Sequence, residues 1–154
     1  MKIEHAQIED LPEILELQNI AFRSQAMIYN DFKIPPLIQT LEEIRQDFLN
    51  QTYLKAVIDD KIIGSVRGYE EEGICYIGRL MVHPDFHNNG IGTKLMYKIE
   101  EFFNKTKRYE LFTGHKSERN LYLYQKLGYN KFKMEKINNN LNMVYLEKVN
   151  EELK

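Results

Sequence analysis

Apolar and polar residues alternate along this chain with two periods, one typical of strands and the other of helices. Residues 2–8 alternate closely enough to predict a first strand. Asp10 is placed to cap a helix that has Pro12 in its first turn. The apolar residues that follow share helical spacing: Leu11, Ile14, Leu15, Leu17 and Ile20. We therefore expect a strand and then a helix to open the fold.

The segment after this helix is the least regular part of the sequence. Residues 24–39 contain two consecutive prolines and follow no clean period, which predicts a long connection, either a lid or a loosely packed loop. Thr40 and Glu43 then form a capping-box pattern at the start of a second helix. We expect that helix to run to about Asn50.

A strand-rich middle follows, and after it helices and strands alternate. The predicted strands are 53–59 and 61–69 around Asp59-Asp60, 74–82 after a turn at 70–73, 108–114, and a closing hairpin of 129–137 and 141–149 around Asn138-Asn139-Asn140. The predicted helices are Gly90 to about Asn104, with Ile91, Leu95, Ile99 and Phe102 on one face, and Ser117 to Lys126, ended by Gly128. This order predicts an α/β (mixed α+β) fold with about seven strands in one sheet and four helices.

Composition and charge narrow the class of protein. A length of 154 residues suits one domain, 1–154, with one core. Lys plus Arg (21) nearly balances Asp plus Glu (23), so the formal charge of −2 gives no reason to expect nucleic acid or an anionic membrane as a partner. Cys75 is the single cysteine, so no internal disulfide is expected. The charged N-terminus, and the lack of an apolar run near the ~20 residues that span a bilayer, predict a cytoplasmic protein.

Two glycines stand where the helix at residue 90 begins. A helix start presents unpaired backbone N–H groups and the positive end of the helix dipole. Gly90 and Gly92 remove side chains just there, and Ile91 between them can point into the core. An anion such as a pyrophosphate can approach such N–H groups closely. Glycine is also common in ordinary turns, so the pair alone does not decide between a turn and an anion site.

Other phosphate and metal motifs do not fit this segment. No glycine of the chain precedes a lysine, as a P-loop requires. Leu95 stands where a dinucleotide-binding fingerprint needs a third small residue. His83 and His87 are separated by Pro84 and have no obvious third partner, so we expect no metal site. A nucleotide-binding domain is therefore not predicted.

With its flanking residues, the glycine segment resembles the acetyl-CoA-binding segment of the GNAT family of N-acetyltransferases. The matching residues are His87-Asn88-Asn89-Gly90-Ile91-Gly92 after the strand Leu80-Met81-Val82, with His87 and Asn89 in place of the usual Gln or Arg and the common Arg or Lys. The resemblance implies that the N–H groups of residues 88–93, ending at Thr93, bind the pyrophosphate. It also implies that residues 80–82 lie along the pantetheine, where this strand splays from the one near 109–113.

A second stretch, residues 117–129, resembles the family's downstream signature. The matching positions are Leu123, Tyr124, Lys126, Gly128 and Tyr129. The resemblance implies that the Tyr124 hydroxyl is the general acid for the departing thiolate, whereas its spacing alone fits a core residue equally well. Members of the family often have Asn seven residues before this Tyr. Here Ser117 stands at that position and Asn120 three residues later, and either is a candidate to hold the pantetheine arm.

The general base and the acceptor site are less well marked. Some members carry a Glu at the position of Tyr76, so the remaining candidates for the base are the Glu70–Glu72 turn, His115 or a chain of water molecules. The family's acceptor wall corresponds to Met27, Tyr29, Asn30 and Phe32, which could equally pack the loop onto the core. We take Tyr29, Phe32, Glu70 and His115 as candidate substrate residues.

Together the two motifs and the element order imply a GNAT-like, mostly antiparallel acyl-CoA N-acyltransferase fold. The implied function is transfer of an acetyl group from acetyl-CoA to a primary amine of a small molecule, peptide or protein, by a monomer or homodimer without a metal. A non-catalytic acyl-CoA-binding or sensing module is the alternative, since Tyr76 is no base. Tyr124 favours the enzyme, because cofactor binding does not need a phenol at the sulfur.

Overall fold

A seven-stranded sheet with helices on both faces forms the fold in the computed structural model, which describes residues 1–152. The strands are β1 (Lys2–His5), β2 (Thr52–Ile58), β3 (Lys61–Glu71), β4 (Ile74–Val82), β5 (Arg108–Gly114), β6 (Asn130–Lys136) and β7 (Asn142–Val149). The helices are α1 (Leu11–Tyr29), α2 (Pro35–Ile38), α3 (Leu41–Asn50), α4 (Ile91–Phe102) and α5 (Glu118–Lys126). The predicted fold class and order of the longer elements are confirmed, and α2 is a single added turn.

The sheet is antiparallel except at its centre. Its spatial order is β1-β2-β3-β4-β5-β7-β6, and β4 and β5 are the parallel pair. These two strands pair only along Ile74–Tyr76 and Arg108–Glu110. Beyond Tyr76 they diverge, which confirms the predicted splay.

Two tight turns set the register of the central strands. Asp59 (φ 49°) and Asp60 (φ 64°) form the turn between β2 and β3, and both adopt the left-handed conformation of a type I′ hairpin. Glu72 (φ 52°) and Gly73 (φ 83°) form the next turn in the same way. The turn is therefore shorter than the predicted 70–73, because Glu70 and Glu71 still belong to β3.

Alternation along the strands separates two apolar clusters on opposite faces of the sheet. One face packs against α4 and α5 through residues such as Leu95, Ile99 and Leu127. The other face packs against α1 and α3 through residues such as Ile14 and Ile44. The predicted apolar face of α4 is correct for its first three members, but Phe102 is 51% exposed and lies edge-on to His5. Phe103, one residue later, packs against the core instead.

Helix α1 is longer than its sequence pattern predicted. Its apolar stripe continues through Phe22, Ala26 and Tyr29, spaced three or four residues apart, and Ala26 and Tyr29 are buried. The expected connection at 24–39 therefore begins only after Tyr29. At the other end, the Asp10 carboxylate does not cap α1; it accepts hydrogen bonds from the Gln7 N–H (2.7 Å) and Lys55 Nζ (2.8 Å).

The capping box predicted for the second helix is present in α3. The Thr40 hydroxyl accepts from the Glu43 N–H (3.1 Å), and the Glu43 carboxylate accepts from the Thr40 N–H (2.9 Å). Among residues 1–152, no helix combines the length and the apolar character needed to cross a membrane.

Candidate active site

The divergence of β4 from β5 opens a cavity of about 510 Å³ at the centre of the molecule. Its walls come from α1, α2, β3, β4, β5, α5 and β7. Four of the site residues predicted from the sequence line this cavity: Tyr29, Leu80, Asn120 and Tyr124. The structure thus brings the second motif and one side of β4 to a single place.

The backbone of β4 faces the gap at Val82. The His83 N–H donates to the Ile63 carbonyl of β3 (2.8 Å), so alternation turns the N–H and C=O of Val82 toward the side where β5 has diverged. The Val82 carbonyl accepts from His87 Nε2 there (3.1 Å). The side chain of Met81 points the other way and is buried under α1. The predicted strand segment therefore offers its backbone, and not Met81's side chain, to the gap.

The first turn of α4 is open to an anion. Gly90 is the N-cap residue of α4, with φ of 73°, and it supplies no side-chain cap. A Cβ at Gly90 would meet no atom within 4 Å, so the space in front of the helix start is clear. The N–H groups of Ile91, Gly92 and Thr93 open this helix, whose first helical hydrogen bond is from the Lys94 N–H to the Gly90 carbonyl. This geometry fits a pyrophosphate.

The loop before α4 is fixed by its own side chains. His87 bonds the Val82 carbonyl, and burial lowers its pKa, with a further contribution from the charge of Arg119. The imidazole is therefore neutral at pH 7, and its hydrogen bond to Val82 holds the loop against the end of β4. Asn89 Nδ2 donates to the Phe86 carbonyl (3.2 Å), and Asn88 is in the left-handed region with φ of 67°. The departures from the family pattern thus stabilise the loop's conformation.

Arg119, at the start of α5, is a cation that the sequence motifs did not indicate. Its Nη1 lies 3.5 Å from Asn88 Oδ1, beside the open turn of α4. An anion at that turn would lie near both the α4 dipole and this guanidinium. The signal in the sequence was weak, because a single Arg in an exposed helix start is common.

Tyr124 has the features of both a core residue and a site residue. Its side chain belongs to the cluster under α4 and α5, where its ring centroid lies 6.1 Å from that of Tyr129. It also lines the cavity, and its hydroxyl makes no hydrogen bond to any other residue in the range 1–152. Burial raises the pKa of the phenol above its usual value, so the hydroxyl keeps its proton at neutral pH.

Ser117 and Asn120 occupy different environments. Ser117 is 2% exposed, and its hydroxyl shares hydrogen bonds with Tyr29 Oη (2.8 Å) and with Gln25 Oε1. Tyr29 Oη also accepts from the Lys116 N–H (2.9 Å), so Tyr29 fastens α1 to the start of α5. Asn120 makes a 3.3 Å hydrogen bond to Thr113 Oγ1 and lines the cavity. Of the two candidates, Asn120 is the one that faces the gap.

The other candidate substrate residues lie away from the cavity. Phe32 is 55% exposed in the turn after α1. Glu70 follows Tyr69 in β3, so alternation directs it away from the cavity face. His115 is held by β7, since its Nδ1 accepts from the Asn142 N–H (2.9 Å). Of the four candidates, only Tyr29 lines the cavity, and there it is fixed by its hydrogen bonds.

The structure brings a carboxylate into the cavity that sequence reasoning missed. Glu110 lies on β5 in register with Tyr76 on β4, so it occupies the neighbouring strand at the level where some family members have a Glu. Its side chain is 17% exposed and bonds Arg108 (3.0 Å). The available signal was an acidic residue between the apolar Tyr109 and Leu111 in the predicted strand 108–114.

Two arginines that the sequence also left unassigned line the same cavity. Arg67 Nη1 donates to Asp47 Oδ2 (2.7 Å) and to Tyr53 Oη (2.9 Å). Arg79 lies at the bulge in β4 with φ of 50°. Its Nε is buried and has no hydrogen-bond partner among residues 1–152. Across the same residues, no group of three or more His, Cys, Asp or Glu side chains is arranged to hold a metal ion.

A sequence model of the acetyltransferase (GNAT) family matches residues 11–129, which include both motifs, the splay and most of the cavity. The chain belongs to the acetyltransferase (GNAT) family. No curated protein sequence matches this acetyltransferase significantly.

Solved structures share the fold of this GNAT acetyltransferase at low sequence identity. The smu.2055 protein of Streptococcus mutans is 19% identical, with a TM-score of 0.84 over 98% of this chain and 100% of its own. The ribosomal-protein-S18-alanine N-acetyltransferase of Escherichia coli is 12% identical, with a TM-score of 0.80 over 96% and 92%. The PaiA N-acetyltransferase of Thermoplasma acidophilum, in complex with coenzyme A, is 22% identical, with a TM-score of 0.79 over 97% and 99%.

Proposed function

We propose that this GNAT acetyltransferase uses acetyl-CoA to acetylate a primary amine. The observation that carries the proposal is the Tyr124 hydroxyl, which keeps its proton and has no hydrogen-bond partner in residues 1–152, in a cavity at the gap between β4 and β5. The open first turn of α4 supports acetyl-CoA as the donor, because its N–H groups fit a pyrophosphate. Two solved relatives in fold, from Escherichia coli and Thermoplasma acidophilum, are described as N-acetyltransferases, the second in complex with coenzyme A.

The donor would be held by four parts of the chain. The N–H groups of residues 88–93 and the Arg119 guanidinium would bind its phosphates. The backbone edge of β4 at Val82 would hydrogen-bond its pantetheine arm, and Asn120 would contact the same arm from α5. When bound, acetyl-CoA supplies a thioester whose carbonyl carbon is open to an amine and whose sulfur leaves with the electrons of the broken bond.

The chain's own residues then carry out three proton transfers and stabilise one developing negative charge. An amine reacts only when neutral, and the Glu110 carboxylate, on the cavity wall, accepts the ammonium proton directly or through water. The Val82 N–H points toward the gap and stabilises negative charge on an oxygen there. Tyr124 supplies the proton that the leaving sulfur takes, and the proton that the attacking nitrogen loses as the amide forms returns to the Tyr124 oxygen directly or through water. Burial disfavours ionised Tyr124, so the phenol is in the acid form across the neutral range.

Release of CoA in the presence of acetyl-CoA and a panel of amines tests the proposal. We expect at least one amine to raise CoA release well above the rate of acetyl-CoA hydrolysis, and mass spectrometry to find the amine heavier by one acetyl group. A melting series run beside it should show stabilisation by acetyl-CoA, about 2.7 kcal/mol at 100 times its dissociation constant.

The same experiment separates the enzyme from a non-catalytic acyl-CoA-binding module. Tyr76, in place of a Glu, is the observation that favours the module. Stabilisation by acetyl-CoA without acetylation of any amine would support it and end the transferase proposal. Glu110 weighs against this outcome, because it puts a carboxylate in the cavity one strand away.

A further inference from the structure

The cavity contains a positive charge that the protein does not balance. Arg67 is paired with Asp47 at 2.7 Å. Arg79, in the same cavity wall, takes part in none of the salt bridges among residues 1–152, and its buried Nε has no hydrogen-bond partner there. A buried N–H of a cationic group without a partner is costly, so such an N–H is normally hydrogen-bonded or paired with an anion.

The backbone holds Arg79 in place at a further cost. Its φ of 50° lies in the left-handed region, which residues with a side chain rarely adopt. The strain arises at the bulge in β4, where pairing with β3 shifts between Ser65 and Arg67. Gly78, Arg79 and Leu80 all line the cavity, so the bulge directs this part of β4 toward it. Strain of this kind is typically retained at functional sites.

The surroundings of Arg79 favour an anion as its partner. Burial and the neighbouring charge of Arg67 lower its pKa to about 10, so the guanidinium is still charged at neutral pH. Two guanidinium groups and a single carboxylate, Asp47, leave a net positive charge at this end of the cavity. A planar guanidinium binds carboxylates through paired hydrogen bonds.

The donor's phosphates do not account for this charge. The open turn of α4 and Arg119 are already placed to receive them, on the α4 side of the sheet. Arg67 donates a hydrogen bond to Tyr53 (2.9 Å), which belongs to the cluster on the opposite face, under α1 and α3. The unbalanced charge is thus on the acceptor's side of the gap.

We propose that the acceptor carries an anionic group of the carboxylate class in addition to its amine, and that Arg79, together with Arg67, binds this group. The inference rests on the proposed N-acetyltransferase function and names the class of its substrate. Tyr69, Tyr76 and Glu110 lie in one row across β3, β4 and β5, and Arg67 lies in the next row. Arg67 and Glu110 are therefore about two strand spacings, roughly 10 Å, apart, and Arg79 lies on the strand between them.

This layout describes a small acceptor that is charged at both ends. The amine end lies toward Glu110 and Tyr124, and the anionic end lies toward the arginines. Apolar side chains form the wall near α1 and α2: Phe22, Ile34, Pro35 and Pro36. They suit a short hydrocarbon portion between the two ends.

Matched acceptors test this in the unmodified protein. Each amino acid of the panel is assayed beside its carboxamide and its decarboxylated amine, as with lysine, lysinamide and cadaverine. Phosphoethanolamine beside ethanolamine separates phosphate from carboxylate. We expect the best carboxylate-bearing acceptor to exceed both neutral partners by about 10- to 100-fold in kcat/KM, the range of a charge-assisted hydrogen bond. Neutral or decarboxylated partners that react equally well or better would overturn the inference and leave the N-acetyltransferase proposal standing, as would a preference for phosphate alone.

A variant then assigns the effect to Arg79. In Arg79→Gln the preference for the carboxylate should fall to within about threefold, through a higher acceptor KM, while the KM for acetyl-CoA holds. Arg45→Gln, on the exposed surface of α3, makes the same change in net charge and should keep the preference. An unchanged preference in Arg79→Gln contradicts the assignment.

Two further measurements keep the result decisive. If Arg79→Gln does not fold, Arg79→Lys replaces it, and a preference reduced by about tenfold is expected because the paired hydrogen bonds are lost. If no amine is acetylated at all, the proposed function fails. Melting shifts with each amino acid and its carboxamide then test the anion site by itself, and equal shifts would refute it.

Discussion

The two sides of the central gap are built in different ways. The proposed donor side is formed by two short segments, residues 80–93 and 117–124, and would work largely through backbone N–H groups. The proposed acceptor side is formed by single side chains from five separate elements, α1, α2, β3, β4 and β5, among them Tyr29, Arg67 and Glu110. A site built from backbone N–H groups needs a particular conformation over several consecutive residues, so it leaves a recognisable sequence motif. A site built from single side chains on separate elements leaves no such motif.

The largest effect is expected at Tyr124, where the two sides meet. Tyr124→Phe removes the hydroxyl and keeps the ring's packing against Tyr129. General acid catalysis is typically worth 10²–10⁴-fold, so turnover should fall by on the order of 100-fold. Acetyl-CoA affinity and the melting temperature should change little, because the hydroxyl has no hydrogen-bond partner in residues 1–152. Turnover within a few-fold of the unmodified protein would make Tyr124 a core residue only.

The second test changes only the proposed phosphate site at the start of α4. Gly90→Val places a branched side chain at φ of 73° in front of the α4 N–H groups. The stabilisation by acetyl-CoA, about 2.7 kcal/mol at 100 times its dissociation constant, should disappear from the melting curve. Gly73→Val is the matched control, since Gly73 has a similar φ of 83° in the turn between β3 and β4. The control should lose stability but keep the ligand's shift, and equal shifts in both variants would contradict a phosphate site at Gly90.

The third test compares the two neighbours Ser117 and Asn120. Ser117→Ala removes a buried hydroxyl that bonds Tyr29 and Gln25, so the free energy of unfolding should fall by about 1–3 kcal/mol. Asn120→Ala should instead raise the KM for acetyl-CoA several-fold with little loss of stability. Measuring both quantities on both variants decides which residue serves the donor. The reverse pattern would return the role to Ser117.

The smallest effect concerns the pH dependence contributed by His87. Burial lowers its folded-state pKa below the unfolded value near 6.5. The unfolded chain therefore binds a proton at this histidine more readily than the folded protein does. Neutral His87 thus contributes to the free energy of unfolding above about pH 6.5, and the contribution is lost as the pH falls through the folded-state pKa. Melting temperatures at pH 7.5 and 5.5 should differ less in His87→Gln than in the unmodified protein. An equal difference in both proteins would show that His87 is not the source.

The same contrast explains how much of the molecule could be predicted from its sequence. The order of the longer elements, the splay after Tyr76 and the open helix start at Gly90 all follow from local patterns and motifs. For Tyr29 the pattern predicts a loop, because a polar stretch obscures the spacing of Phe22, Ala26 and Tyr29 that continues α1.

The acceptor wall was not predictable from local patterns. Glu110 and Arg79 each have no polar or charged residue directly beside them in the sequence, and they line one cavity only because β4 and β5 are neighbours that separate after three pairs. The candidates Phe32, Glu70 and His115 lie in segments whose sequence is polar or irregular, and such segments more often face water than a cavity. Long-range pairing of strands decides which side chains meet, and a single sequence does not encode that pairing locally.

The short parallel seam between β4 and β5 has a consequence for how the molecule opens. Past Tyr76 and Glu110, two backbone edges in the middle of the sheet have no strand between them, so their amides should exchange with solvent like those of edge strands. The sheet thus consists of two parts, β1 to β4 and β5 to β7, that are joined by three residue pairs. The Tyr29 hydroxyl, which is bonded to Ser117 and Lys116, connects α1 to the start of α5 and is a second link between the two parts. A pantetheine arm hydrogen-bonded along these edges would act as a missing strand, so acetyl-CoA, bound as proposed, would make the whole sheet more rigid.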